Sequence, residues 1–146
     1  MSGPLIKVAV NALDRVVRAL GREADEAAHI RTGKRGEEAA EFYLRKLGYV
    51  MVARNYRTPR HRSELDLIGW DRETLCFIEV KTRSTHGVAP AEAAVDSEKQ
   101  RDLAAVARTY LRRVPSGTVV RGDVVSVYTD CDPPQITLFK NAFRVR

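Results

Sequence analysis

Two short stretches of this chain place charged side chains where phosphodiester chemistry needs them: Glu64-Leu65-Asp66-Leu67-Ile68 and Phe77-Ile78-Glu79-Val80-Lys81. Each reads as an apolar strand interrupted by charge at alternate positions. Successive side chains of a strand point to opposite faces, so Glu64 and Asp66 share one face, and Glu79 and Lys81 share one face. Strands this apolar are buried on at least one side, and carboxylates there are costly unless paired or bound to a metal. Mg²⁺ takes hard oxygen ligands, one or two carboxylates among them, and keeps room for waters and phosphate oxygens. If the strands pair antiparallel across the short turn at 71–74, neighbouring positions lie about 5 Å apart, and Asp66 and Glu79 reach one ion together. The backbone carbonyl of Val80 lies beside the same position. Lys81 follows Glu79 by roughly 6.6 Å along the strand. An ammonium there can hold an attacking water and stabilise charge developing on a phosphate. Water activated by a divalent cation loses its proton readily, so no histidine base is required. Glu37 is the fourth candidate. It lies three and seven residues before Ala40 and Leu44 and so on the inward stripe of its helix, as a ligand or as a favourable charge at the helix N-terminus.

An isolated Glu-x-Lys in a strand is ordinary on a solvated sheet face. The fuller spacing, Asp66 followed by twelve residues and then Glu79-Val80-Lys81, is more specific. Other chemistries find less support. His29, His61 and His86 are scattered in polar segments and read as solvated. Ser84, Ser97 and Ser116 lack the Gly-x-Ser-x-Gly context of acyl transfer. Gly33-Lys34-Arg35-Gly36 follows no strand, so it is no phosphate-cradling loop. Arg54, Arg57, Arg60, Arg62, Lys99 and Arg101 form a candidate phosphate-contact surface, although any one alone is an ordinary solvated charge.

The elements that must position these residues follow from periodicity. Leu5, Val8, Ala9, Ala12, Leu13, Val16, Val17 and Leu20 recur at helical spacing and predict a helix over 5–20, with Gly21 able to end it. Residues 22–32 are polar, a linker or an extension of that helix. A second helix is expected over 34–47, with Gly48 as its stop. Strands are expected over 49–53, 63–70, 75–82, 119–128 and 135–139, with a basic loop over 57–63 and another loop over 83–90. Ser97 with Gln100 resembles a capping box opening a helix to about residue 113. The order helix, three strands, helix, two strands predicts an α/β protein whose mixed central sheet is flanked by helices.

The chain has 146 residues, a size that suits one domain with a real core. Lys and Arg number 25 against 19 Asp and Glu, a net charge of +6 with pI about 9.6, which fits an anionic partner such as nucleic acid. Cys76 and Cys131 are far apart without metal-ligand spacing, and a reducing, cytoplasmic setting is expected. No apolar run exceeds five residues, so neither a transmembrane helix nor a signal peptide is expected.

The segments Gly33-x-x-Gly36-Glu37, Gly48-Tyr49, Arg54-Asn55-Tyr56-Arg57, Glu64-Leu65-Asp66-Leu67-Ile68, Phe77-Ile78-Glu79-Val80-Lys81-Thr82-Arg83, Lys99-Gln100-Arg101 and Asp123-Val124-Val125 resemble the YraN-like family of small bacterial proteins. That family is similar to archaeal Holliday junction resolvases and carries the PD-(D/E)xK nuclease core. The resemblance covers about residues 33–139. It implies a restriction-endonuclease-like domain over 33–146, with residues 1–32 as an N-terminal helical extension. It implies Asp66, Glu79 and Lys81 as metal and catalytic residues, with Glu37 from the first helix of the domain, and Lys99 or Gln100 approaching the site or the phosphate. The implied reaction is Mg²⁺- or Mn²⁺-dependent hydrolysis of a phosphodiester in DNA, branched DNA included, for which a homodimer would place two sites against two strands. A nucleic-acid-binding protein that keeps the nuclease fold without catalysis is the alternative. Ser63 replaces a glycine usual before Glu64, and Gly122 a large apolar residue usual before Asp123.

Overall fold

A computed structural model describes residues 4–84 and 95–146, with side chains from Arg15 onward. His86 and most of the loop expected over 83–90 lie outside the described residues. The protein is a mixed α/β structure with elements in the expected order: α1 (Pro4–Lys46), β1 (Val50–Thr58), β2 (His61–Asp71), β3 (Thr74–Arg83), α2 (Ser97–Leu111), β4 (Val119–Tyr128) and β5 (Gln135–Phe143). The chain divides into two compact units, Met1–Lys34 and Arg35–Arg146.

The separate helices expected over 5–20 and 34–47 are one element. Gly21 and Gly33 lie inside α1. A helical glycine costs about 1 kcal/mol against alanine. No proline or turn sequence stands beside either one to convert that cost into a break. Gly48 does end the helix. It takes a left-handed backbone (φ 95°), its N–H donates to the Arg45 carbonyl (3.0 Å), and the Tyr49 N–H donates to that of Leu44 (3.0 Å).

Within the larger unit the five strands form one sheet in the order β1-β2-β3-β4-β5. β1/β2, β2/β3 and β4/β5 pair antiparallel, while β3 and β4, joined through α2, run parallel. The basic segment expected as a loop over 57–63 is a tight hairpin. β1 continues to Thr58, which pairs with His61, leaving Pro59 and Arg60 as the turn. Cross-strand pairing overrides the low strand propensity of this charged run.

Two cores form, one on each face of the sheet. On one face Ala40 and Leu44 of α1 pack with Leu67, Cys76, Ile78, Val125 and Val127. On the other, Leu103, Val106 and Ala107 of α2 pack with Leu65, Ile68, Phe77 and Val124. Tyr110 of α2 meets the edges of Tyr56 and Phe77 at centroid distances of 5.2 and 6.0 Å, fixing the helix on the sheet. The cap of α2 is Asp96 rather than Ser97: its carboxylate accepts the Lys99 N–H at 2.8 Å. Gly122 leaves room for Phe143, whose ring carbons would otherwise lie 2.7 Å from a Cβ there. Cys76 (buried) and Cys131 (exposed) are free thiols.

Candidate metal centre

The centre lies where β2 and β3 stop pairing. Their ladder runs from Asp71/Thr74 to Leu67/Ile78. One residue further on each strand are Asp66 and Glu79, 8% and 5% exposed. β2 also turns about its axis here. Leu65 and Leu67 are two residues apart, a spacing that strict alternation keeps on one face, yet they enter opposite cores. Asp66 sits between them. The Val80 N–H donates to Asp66 Oδ2 at 2.6 Å, so a strand amide is used to orient a carboxylate. For Val80 this amide is the contact the structure gives, where the sequence suggested its carbonyl.

Three carboxylates converge. One oxygen each from Glu37, Glu64 and Asp66 lie within 4.8 Å of one another. Glu37 is brought in by α1, whose approach to β3 depends on Gly36: a Cβ at that position would overlap the Thr82 hydroxyl. Its carboxylate accepts from Asn55 Nδ2 at 3.1 Å, and Asn55 holds a left-handed backbone (φ 46°) inside β1, strain of the kind that gathers at functional sites. Glu64 is ion-paired with Arg57. The sequence placed Glu64 beside Asp66 on one strand face but did not single it out as a ligand. The signal was there in the shared face. Asn55 carried no such signal.

Glu79, expected to share an ion with Asp66, is not one of these three; it lies beside Asp66 from β3. Lys81 Nζ lies 3.2 Å and Lys99 Nζ 3.7 Å from Glu79 Oε1. Glu79 Oε2 is buried and has no hydrogen-bond partner among the described residues. Burial, then the negative charge of Glu79 and that of Glu37, push the Asp66 carboxyl up to about 8, against the pull of the Val80 N–H. Four carboxylates face two lysines and one arginine. An all-oxygen set with a buried, unpartnered carboxylate oxygen fits a hard divalent cation.

The basic residues divide. Lys99 is at the centre. Arg54 is engaged with buried Glu41, Nη2 to Oε1 at 2.6 Å, and Arg45 reaches the same oxygen at 2.8 Å. Gln100 turns its amide to the Val95 carbonyl at 2.9 Å. Arg60, Arg62 and Arg101 are exposed.

Uncharacterised protein family UPF0102 matches residues 36–127, a span from the glycine beside Glu37 to β4. A UPF0102 protein of Koribacter versatilis is 57% identical over 129 residues, covering 88% of this chain and 90% of the relative. One from Solibacter usitatus is 46% identical (76% and 84% covered), and one from Desulfosudis oleivorans 40% identical (76% and 88%).

Proposed function

The chain belongs to the uncharacterised protein family UPF0102, the YraN-like family, and from that premise we propose that it is a Mg²⁺- or Mn²⁺-dependent endodeoxyribonuclease. Its core is read as similar to that of Holliday junction resolvases, with residues 33–146 as the nuclease domain and 1–32 as an extension. The observation that carries this reading is Glu79: its Oε2 is buried beside the raised Asp66 carboxyl without a hydrogen-bond partner among the described residues, while its Oε1 lies 3.2 Å from Lys81 Nζ. Buried carboxylates without partners are expensive, and a fold tolerates the cost where a cation offsets it.

Asp66, Glu79, Glu37 and Glu64 would hold the cation, directly or through water. A bound Mg²⁺ or Mn²⁺ supplies charge neutralisation at the phosphate and lowers the pKa of water. The chain's own residues do the rest. Lys81, anchored by Glu79, presents an ammonium to the attacking water and to the charge growing on the phosphate oxygens. The Val80 N–H fixes the Asp66 carboxylate so that little reorganises during reaction. Asn55 and Arg57 hold Glu37 and Glu64 in place. Lys99, from the first turn of α2, adds positive charge on the Glu79 side, where a phosphate would approach.

DNA is the proposed substrate, with branched DNA as the class to which a homodimer would be suited, and the cytoplasm as the place of action. No helix among the described residues is long and apolar enough to cross a membrane. The test is incubation of the full chain with four-way junction, flap and single-stranded DNA in Mn²⁺. Cleavage that slows by about 10²–10³-fold in Lys81→Ala while DNA binding persists supports the enzyme. Binding without cleavage on every substrate would establish a non-catalytic DNA-binding protein instead.

A further inference from the structure

A second basic site lies away from the acidic centre, between the turn of the β1/β2 hairpin and the C-terminal half of α2. A cavity of about 850 Å³ there is lined by Thr58, Arg60, His61, Arg108, Arg112 and Arg146, among others, and no acidic side chain lines it. Among the described residues none of these four guanidiniums forms an ion pair. Four like charges round one cavity repel, and a fold gains nothing from gathering them without an anion. Thr58 supplies an independent observation. It is 8% exposed, and its Oγ1 is buried without a hydrogen-bond partner among the described residues. A buried hydroxyl left without a partner costs about 1–3 kcal/mol, and this one belongs to a residue of the cavity wall.

We propose that this cavity binds a phosphate group of a nucleic-acid strand, with Arg60, Arg108 and Arg112 as the cationic walls and Thr58 in the wall behind them. Guanidiniums and hydroxyls are the groups that contact phosphate oxygens in nucleic-acid complexes. The inference rests on the nucleic-acid reading of the acidic centre. His61 and Asp66 are five residues apart on β2, about 17 Å along the strand, which is the rise of about five base pairs. A phosphate held here would fix a strand some five nucleotides from the acidic centre.

The experiment is fluorescence anisotropy of the full chain on a labelled 20-base-pair duplex in EDTA, across a salt series, so that no metal or turnover enters. Arg108→Ala/Arg112→Ala is compared with Arg18→Ala/Arg22→Ala, which removes equal charge from exposed positions on α1. The pocket pair should weaken binding about tenfold and lower the log–log salt slope by about 2, with the control pair near wild type. Duplexes with and without a 5′-phosphate separate the two sources of the group: equal binding assigns an internal backbone phosphate, and a requirement for the 5′-phosphate that the pocket pair abolishes assigns a terminal one. Equal losses in the two double variants, or wild-type binding in the pocket pair, would overturn the proposal. Because the readout is metal-free, its failure is separate from failure of the nuclease reading, which shows only in cleavage.

Discussion

The sheet carries two clusters of buried charge, and they are built on opposite terms. On β4, in register with Ile78 of β3, Asp123 is fully buried and fully answered. Arg121 forms two bonds to it, Nε to Oδ1 at 2.7 Å and Nη2 to Oδ2 at 2.9 Å, and the Asn141 N–H donates to Oδ1 at 2.9 Å. Arg121 Nη2 also reaches Asp71 and the Tyr49 hydroxyl, and Lys140 closes on Asp71 at 3.0 Å. Where the β2/β3 ladder stops, Glu37, Glu64 and Asp66 crowd together with Glu79 beside Asp66, with fewer cations than anions, and one Glu79 oxygen is unanswered among the described residues. Burial alone therefore does not mark a functional charge. The metal-centre reading rests instead on incomplete compensation, which a bound cation would complete.

The largest effect expected from breaking this contrast is on hydrolysis. Asp66→Ala should abolish Mn²⁺-dependent cleavage, and Lys81→Ala should slow it by about 10²–10³-fold, with the far-ultraviolet circular dichroism of both unchanged. A Lys81→Ala enzyme that cuts at the wild-type rate would remove the ammonium from the mechanism. Arg121→Ala should do the reverse. It leaves Asp123 buried without its cation and should cost about 3–5 kcal/mol in urea unfolding, and its fully folded fraction should still bind Mn²⁺.

A fourth variant tests the sign of the contrast. The Asp66 carboxyl is raised in the folded protein, so the folded state holds its proton more tightly than the unfolded chain does. Without metal, stability should then fall as pH rises from the ordinary Asp range, near 4, towards about 8. Asp66→Asn removes that fall and should stabilise the metal-free protein at pH 7 by about 1–3 kcal/mol, while cancelling any rise in melting temperature on adding Mg²⁺. Destabilisation at pH 7 would mean that Asp66 is already satisfied. Gly36→Ala should cost about 1–3 kcal/mol through overlap with Thr82, and pairing it with Thr82→Ala should recover much of the loss. The smallest effect is at acid pH. Arg121 and Lys140 hold Asp71 below its usual value, and the Arg54 and Arg45 contacts outweigh burial to hold Glu41 below its own. Both contributions are present above the normal carboxylate range and are lost as pH falls through the depressed values. Arg54→Ala should therefore flatten the acid limb of a urea-midpoint titration below about pH 4.

Much of the fold was legible because β2, β3 and β4 carry unbroken apolar patterns bounded by turn residues, and because Gly48 stops a helix for a local reason. The continuity of α1 was not, since Gly21 and Gly33 signal a break by propensity while the flanking residues still favour helix. The extension of β1 to Thr58 was missed because a charged run pairs with β2 only once both strands lie in the sheet. The β2/β3 hairpin was legible from a short turn between two apolar runs, and its ladder stops one residue short of Asp66 and Glu79. Glu64 as a neighbour of Glu37 was not, and neither was the capture of Arg54 by Glu41, because each depends on a contact between elements distant in the chain.

By itself the sequence determined which residue types are available, on which strand positions they alternate, and that a hairpin brings two acids together. These are properties of local geometry, carried by neighbours along the chain. Only the tertiary structure decided which charges find partners. β2 turns about its axis between Leu65 and Leu67, the ladder ends at Ile78, and Gly36 admits α1, so that three carboxylates meet and a Glu79 oxygen beside them is left over among the described residues, while Asp123 is answered at every atom shown. Compensation is a sum over everything within a few ångströms, and packing, not sequence order, decides what lies that close.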